Sequence, residues 1–184
     1  KKKLEDYRRK FPVGSELLVG INIGPNKDSK NRFNDYEILS ENLSKYADYI
    51  TINISSPNTP NLRDFHESKH LKKVIVSVKN GILKSNNSNL VQVFLKIAPD
   101  ITLNDLKEII QVSNQEGITG FIISNTTIDR KQDLKSLNSQ EMGGLSGVPL
   151  FLKSTRLLSQ ANQIIKENNF KLHLIAAGGV ADCQ

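Results

Sequence analysis

The segment Asn53-Ile54-Ser55-Ser56-Pro57-Asn58-Thr59-Pro60 sets hydrogen-bonding side chains directly behind an apolar, β-branched run and punctuates them with two prolines. Proline fixes its own φ and restricts the residue before it, so these side chains would be held in place rather than free to sample. The same residues equally suit a stiffened turn whose Asn and Ser satisfy their own backbone. Asn22, Asn53, Asn58 and Asn125 all fall at or just beyond the ends of apolar runs. An amide offers both donor and acceptor, which matches a planar ring carrying N–H and C=O groups. Lys96 interrupts the apolar run Val93-Phe94-Leu95-Lys96-Ile97-Ala98. An ammonium there needs either a ligand or a partner in the core. The glycine-rich turns Gly143-Gly144-Leu145-Ser146-Gly147 and Gly178-Gly179 let backbone N–H groups approach an anion or a flat ring, although such a turn alone is usually only a turn.

Other chemistries find less support. The three histidines, His66, His70 and His173, form no cluster with a nucleophile, and His66 and His70, four apart, read as surface residues on one helix face. No His, Cys, Asp and Glu set has metal-ligand spacing, so no metal is expected. The single cysteine, Cys183, rules out an internal disulfide and fits a reducing compartment.

These residues must be positioned by the elements around them. Short apolar runs alternate with longer stretches at helical spacing, the pattern of a parallel sheet wrapped by helices. Strands are expected at Leu17 to Ile23, Tyr49 to Ile54, Val91 to Ile97, Gly120 to Ser124 and His173 to Ala177. Helices are expected at about 34–47, 67–83, 103–116 and 149–168. Thr102, with Asp105 three residues on, suits a helix start, and Gly117 a stop. Polar residues and glycines follow every strand, the face on which a (β/α)8 barrel builds its site. The expected fold is therefore α/β, a (β/α)8 TIM barrel that is incomplete. Five strands cannot close the barrel, and 184 residues suit five to six β/α units where a whole barrel takes ~250. No repeat or linker divides residues 1–184, which read as one partial domain. The chain does not begin with Met and stops just after Gly178-Gly179, so both ends read as cut, with the first and last strands absent.

A 38% hydrophobic, 24% charged composition suits a chain with a packed core. No run approaches the roughly 20 apolar residues of a membrane-spanning helix, and the opening KKKLEDYRRK is no signal peptide. The net charge of +6 is scattered through helical stretches rather than interleaved with aromatics, so no nucleic-acid partner is expected. Its one dense cluster, Lys1 to Lys3 with Arg8, Arg9 and Lys10, reads as the solvated face of an incoming helix.

In order, GINIGPNK, DYITINISSPNTPNLR, VFLKIAPD, GFIISNTT, GGLSGVPL and IAAGGV resemble the class 2 dihydroorotate dehydrogenases over nearly the whole chain. The resemblance implies a barrel that binds flavin mononucleotide (FMN) and oxidises dihydroorotate to orotate in pyrimidine synthesis. A base removes the C5 proton, a hydride passes from C6 to flavin N5, and electrons then go to a quinone. Ser56 stands where the family carries that base, serine in class 2 and cysteine in class 1. A thiol ionises with a pKa of about 8.5, whereas a serine hydroxyl needs a hydrogen-bonded route for its proton, and Thr59 is placed to begin one. Asn53, Asn58, Asn125 and Thr126 match substrate ligands, with Asn53 also touching flavin and Arg63 steadying the loop. Asn22 and Lys96 match flavin ligands, the Lys96 charge favouring the anionic reduced ring near N1 and O2. Ser124, Gly147 and Gly179 match further flavin contacts, mainly through backbone.

The family's first strands, its last strand, and the amino-terminal segment that forms the quinone tunnel and rests on the membrane have no counterpart here. Attachment would be peripheral, on the cytoplasmic side of a bacterial inner membrane or at the mitochondrial inner membrane. Two rivals remain. Another flavin barrel of pyrimidine or dihydrouridine chemistry would carry cysteine where Ser56 stands, and a non-catalytic or decayed fragment would explain the cut ends.

Overall fold

The computed structural model describes residues 1–57, 62, 66–85, 91–130, 134, 136, 138–139 and 141–182. Five strands form one sheet in sequence order, every neighbouring pair parallel: β1 (Gly20–Ile23), β2 (Tyr49–Asn53), β3 (Gln92–Ile97), β4 (Gly120–Ile123) and β5 (His173–Ala176). Helices α2 (Arg32–Leu43), α3 (Ser68–Lys84), α4 (Leu103–Gln115) and α5 (Val148–Glu167) connect them, and α1 (Lys2–Lys10) precedes the sheet. Among the described residues no helix is long and apolar enough to cross a membrane.

Side chains alternate between the faces of a strand, and here each face has its own character. Ile23, Ile52, Leu95 and Phe121 align across four strands and are almost wholly buried. They pack with the buried stripes of the helices, such as Leu71, Val74, Ile75 and Val78 of α3 at helical spacing. The opposite face carries the row Asn22, Thr51, Phe94, Gly120 and His173, and beyond it the row Asn53, Lys96, Ile122 and Ile175. The candidate polar residues of β1, β2 and β3 thus share the face turned away from the main core.

Local chemistry explains the element ends. The Thr102 hydroxyl accepts from the Asp105 N–H and the Asp105 carboxylate accepts from the Thr102 N–H, a reciprocal cap that starts α4. Gly117, with φ +63°, follows its last turn. Helix α2 starts earlier than the spacing predicts because the Asn31 side chain accepts from Asn34 N–H, and it ends at Leu43 in a single 3₁₀ turn, Ser44–Tyr46. Strand β1 starts three residues later than expected. Leu17 and Leu18 are exposed, and the Val19 N–H donates to the Asp48 carboxylate.

One reading of the basic cluster needs correction. Arg8 is not solvated: its guanidinium donates to the Tyr46 carbonyl at 2.8 Å and pairs with Asp48 at 2.5 Å, with only 7% of its side chain exposed. That pair ties α1 to the segment entering β2. His66 and His70 are partly exposed, His70 with 43% of its side chain open while it faces the Phe33 ring at 6.4 Å and the Glu67 carboxylate at 3.6 Å.

Candidate functional site

The site is assembled where β2, β3 and β4 end. Asn53, the last residue of β2, lies in register with Lys96 of β3. Its backbone carbonyl accepts from the Tyr36 hydroxyl of α2 at 2.7 Å. Burial pushes the Tyr36 phenol well above its ordinary pKa, so it stays a donor. The Asn53 side-chain oxygen caps its own turn, accepting from the Ser55 N–H at 3.2 Å, and also accepts from Asn125 Nδ2 at 3.3 Å. Ser55, with no exposed surface, joins all three strands: its hydroxyl donates to the Lys96 carbonyl at 2.8 Å and accepts from Asn125 Nδ2 at 3.0 Å. The amides of Asn53 and Asn125 are thereby fixed in orientation by neighbours on other strands.

Strand β4 runs directly into this cluster. The Ser124 N–H is used by the Ala177 carbonyl and the Asn125 N–H by the Ile97 carbonyl, while the Ser124 hydroxyl donates to the Asn125 carbonyl. The Thr126 N–H donates to Asn125 Oδ1 at 2.8 Å, which fixes which way that amide faces. Thr127 then pairs with Leu145 in both directions, and the Arg130 guanidinium donates to the Glu141 and Gly143 carbonyls. The glycine turn is pressed onto the strand end. A Cβ on Gly144 would fall 1.8 Å from Thr126 Oγ1 and 3.2 Å from Pro57 Cγ, so only glycine fits.

The second glycine turn meets the first at the start of α5. Gly147 caps that helix with φ +74°, and Gly179, at φ +78°, lies so close that a Cβ would be 2.4 Å from the Gly147 carbonyl and 2.9 Å from Phe151 N. The first turn of a helix has N–H groups without intrahelical partners and a positive dipole end, a combination that suits an anion. A phosphate-bearing flat ring therefore fits the residues present. Gly147 leaves its surroundings open at a helix N-terminus, with Gly179 packed beside it, and Lys96 and the Asn side chains supply charge, donors and acceptors on the open sheet face. Among the described residues, no three His, Cys, Asp or Glu could share a metal ion.

The expected residues are thus brought together unequally. Asn53, Asn125, Thr126 and Lys96 converge, Ser124 is buried behind them, and Gly147 adjoins Gly179. Ser56 and Pro57 are half-buried, next to fully buried Ser55. Asn22 sits inside β1 rather than past its end, in register with Thr51, roughly 6–7 Å short of the Asn53 row along the strands. Asn58, Thr59 and Arg63 lie outside the described residues. Sequence reasoning assigned no role to Ser55, Tyr36, Asp100 or Lys153. A short polar residue between two chemically notable ones, as Ser55 is, was the only available signal; the others act across long separations that no local pattern reports.

Known proteins share the sequence and the fold of this chain. The family model described as Dihydroorotate dehydrogenase matches residues 1–184. Similar relatives include a dihydroorotate dehydrogenase (quinone) of Cereibacter sphaeroides, 40% identical over 166 residues that make up 90% of this chain and 45% of the relative. One of Bartonella tribocorum is 39% identical over 169 residues, 91% of this chain and 46% of the relative. The crystal structure of a ligand-free DHODH from Eimeria tenella superposes with a TM-score of 0.88 at 32% identity, covering 97% of this chain and 53% of that one. The chain therefore spans about half the length of the relatives it matches. Over that span the sheet order, the fixed amide pair and the paired glycine turns go with sequence likeness along the whole chain, which belongs to the dihydroorotate dehydrogenase family.

Proposed function

We propose that residues 1–184 form the part of a (β/α)8 barrel that binds FMN and dihydroorotate, in an enzyme that oxidises dihydroorotate to orotate and passes the electrons to a quinone. The observation that carries this reading is the Asn53–Ser55–Asn125 network, which presents two amides of fixed orientation beside Lys96. A pyrimidine edge offers alternating N–H and C=O groups, and pre-set amides bind it without reorganising. Asn53, Asn58, Asn125 and Thr126 hold the substrate. Ser56 takes the C5 proton and hands it on through Thr59, since a serine hydroxyl cannot retain it.

Asn22, Asn53, Lys96 and Ser124 line the place of the ring, and Gly147 and Gly179 that of the phosphate. Bound flavin supplies a hydride acceptor for substrate C6 and a carrier of electrons to the quinone. Lys96 places positive charge where the reduced ring gathers negative charge. The quinone named for the relatives is consistent with peripheral membrane association, on the cytoplasmic side in bacteria or at the inner membrane in mitochondria. Titrating the flavin-loaded chain with orotate tests the reading. A saturable shift of the flavin absorption band is expected, weakened at least about tenfold in Asn125→Ala, which removes the Oδ1 acceptor and releases the Asn53 amide that Asn125 Nδ2 holds. No shift at millimolar orotate with flavin bound would refute it.

A further inference from the structure

The proposed reaction leaves one charged cluster unused. Asp100, three residues past the end of β3, reaches across to the segment that follows β4. Its Oδ1 accepts from the Thr127 hydroxyl and from Lys153 Nζ of α5, both at 2.5 Å, and its Oδ2 accepts from the Ile128 N–H at 3.0 Å. Lys153 also donates to Thr127 Oγ1 and Asp129, each at 3.3 Å. Only 13% of the Asp100 side chain is exposed. Burial alone would lower the Lys153 pKa, but the hydrogen bond and charge of Asp100, with Asp129, raise it instead, so the ammonium stays on.

The connectivity gives this cluster a consequence. Thr127 is the residue that exchanges backbone hydrogen bonds with Leu145, and it directly follows Asn125 and Thr126. One carboxylate therefore links the end of β3, which carries Lys96, to the segment carrying the Asn125 and Thr126 side chains and to the glycine turn pressed on Thr126. Pro99 stiffens the chain that delivers it. We propose that Asp100 is a positioning residue, which holds the Asn125–Thr126 segment and the 143–147 turn in place, with Lys153 fixing its carboxylate. The consequence for substrate rests on the function proposed above; the positioning itself does not.

The test uses the full chain loaded with FMN, as Asp100→Ala, Asp100→Asn and Lys153→Met beside the parent, with amide hydrogen exchange, orotate affinity and FMN affinity as readouts. Asp100→Ala should raise exchange about tenfold or more in residues 124–130 and 141–147 while α3 and α4 stay protected. It should weaken orotate about tenfold but FMN less than about threefold, because α5 is anchored by its own core packing. Asp100→Asn keeps one oxygen, which can accept from Thr127 or from Ile128 but not from both, so it should recover only part of the loss. If Asp100→Ala fails to fold, Lys153→Met carries the same test with a smaller expected change. Unchanged exchange in both segments, or exchange raised equally everywhere, would overturn the proposal. A parent chain that binds no orotate but shows the segmental exchange would sink the proposed function and support the positioning role.

Discussion

Ser55→Ala removes one oxygen from the centre of the site, and the structure sets the size of the effect. The hydroxyl donates to the Lys96 carbonyl at 2.8 Å and accepts from Asn125 Nδ2 at 3.0 Å, in a place no water reaches. Each buried neutral hydrogen bond contributes about 1 kcal/mol, and a stranded buried donor costs about 1 kcal/mol more, so the variant should lose about 2–3 kcal/mol. For a chain of this length that is a fall in Tm of about 5–10 °C. Urea unfolding followed by circular dichroism measures it directly. The geometry also demands coupling, since Asn125→Ala removes the other half of the same hydrogen bond. A cycle of Ser55→Ala, Asn125→Ala and the double variant should give an interaction energy of about 1 kcal/mol. Strict additivity, or a Ser55→Ala loss below about 0.5 kcal/mol, would refute the idea that Ser55 binds the three strand ends together.

Burial pushes the Asp48 carboxyl up, but the N–H groups of Val19 and Gly14 and the Arg8 guanidinium outweigh it and leave its pKa lowered. Its stabilisation is therefore complete above the unfolded carboxylate pKa of about 3.9 and disappears as pH falls through the lower folded value; the stability-versus-pH curve of Asp48→Asn should be flatter than the parent's below about pH 4. Arg8→Met, which leaves that carboxylate only the Val19 and Gly14 N–H groups, should cost about 1.5–3 kcal/mol at neutral pH by urea unfolding. Gly81→Ala should destabilise by about 1–3 kcal/mol despite alanine's better helix propensity, because the new Cβ would lie 2.2 Å from the Glu37 carbonyl and force α2 and α3 apart. Lys96→Met should lower the midpoint potential of bound flavin by roughly 30 mV, the two-electron equivalent of a tenfold weaker hold on the reduced form, as read by dye-equilibrated reductive titration.

The fold was legible because its signals are local. β-branched runs such as Tyr49-Ile50-Thr51-Ile52 and the helical spacing of Leu71, Val74, Ile75 and Val78 mark elements whatever surrounds them. The Thr102 cap was equally plain, since both partners lie within one turn. Asn53, Lys96 and Asn125 stood out because polar groups beside apolar strands need a reason. What stayed hidden was long-range. The Arg8–Asp48 pair spans 40 residues, so Arg8 looked like any other member of a basic run. Asp100 and Lys153 meet across 53 residues, and nothing near either predicts the other. Strand β1 begins later than its apolar run suggests for the same reason, because the Val19 N–H is taken by the distant Asp48 carboxylate.

Anaerobic mixing of the FMN-loaded chain with dihydroorotate, in the parent and in Ser56→Ala, tests the central claim most directly. The account predicts bleaching of the flavin band in the parent and a rate at least about a hundredfold lower in the variant, the usual worth of a positioned base. Bound flavin that dihydroorotate leaves oxidised in the parent, or equal rates in the two proteins, would contradict it.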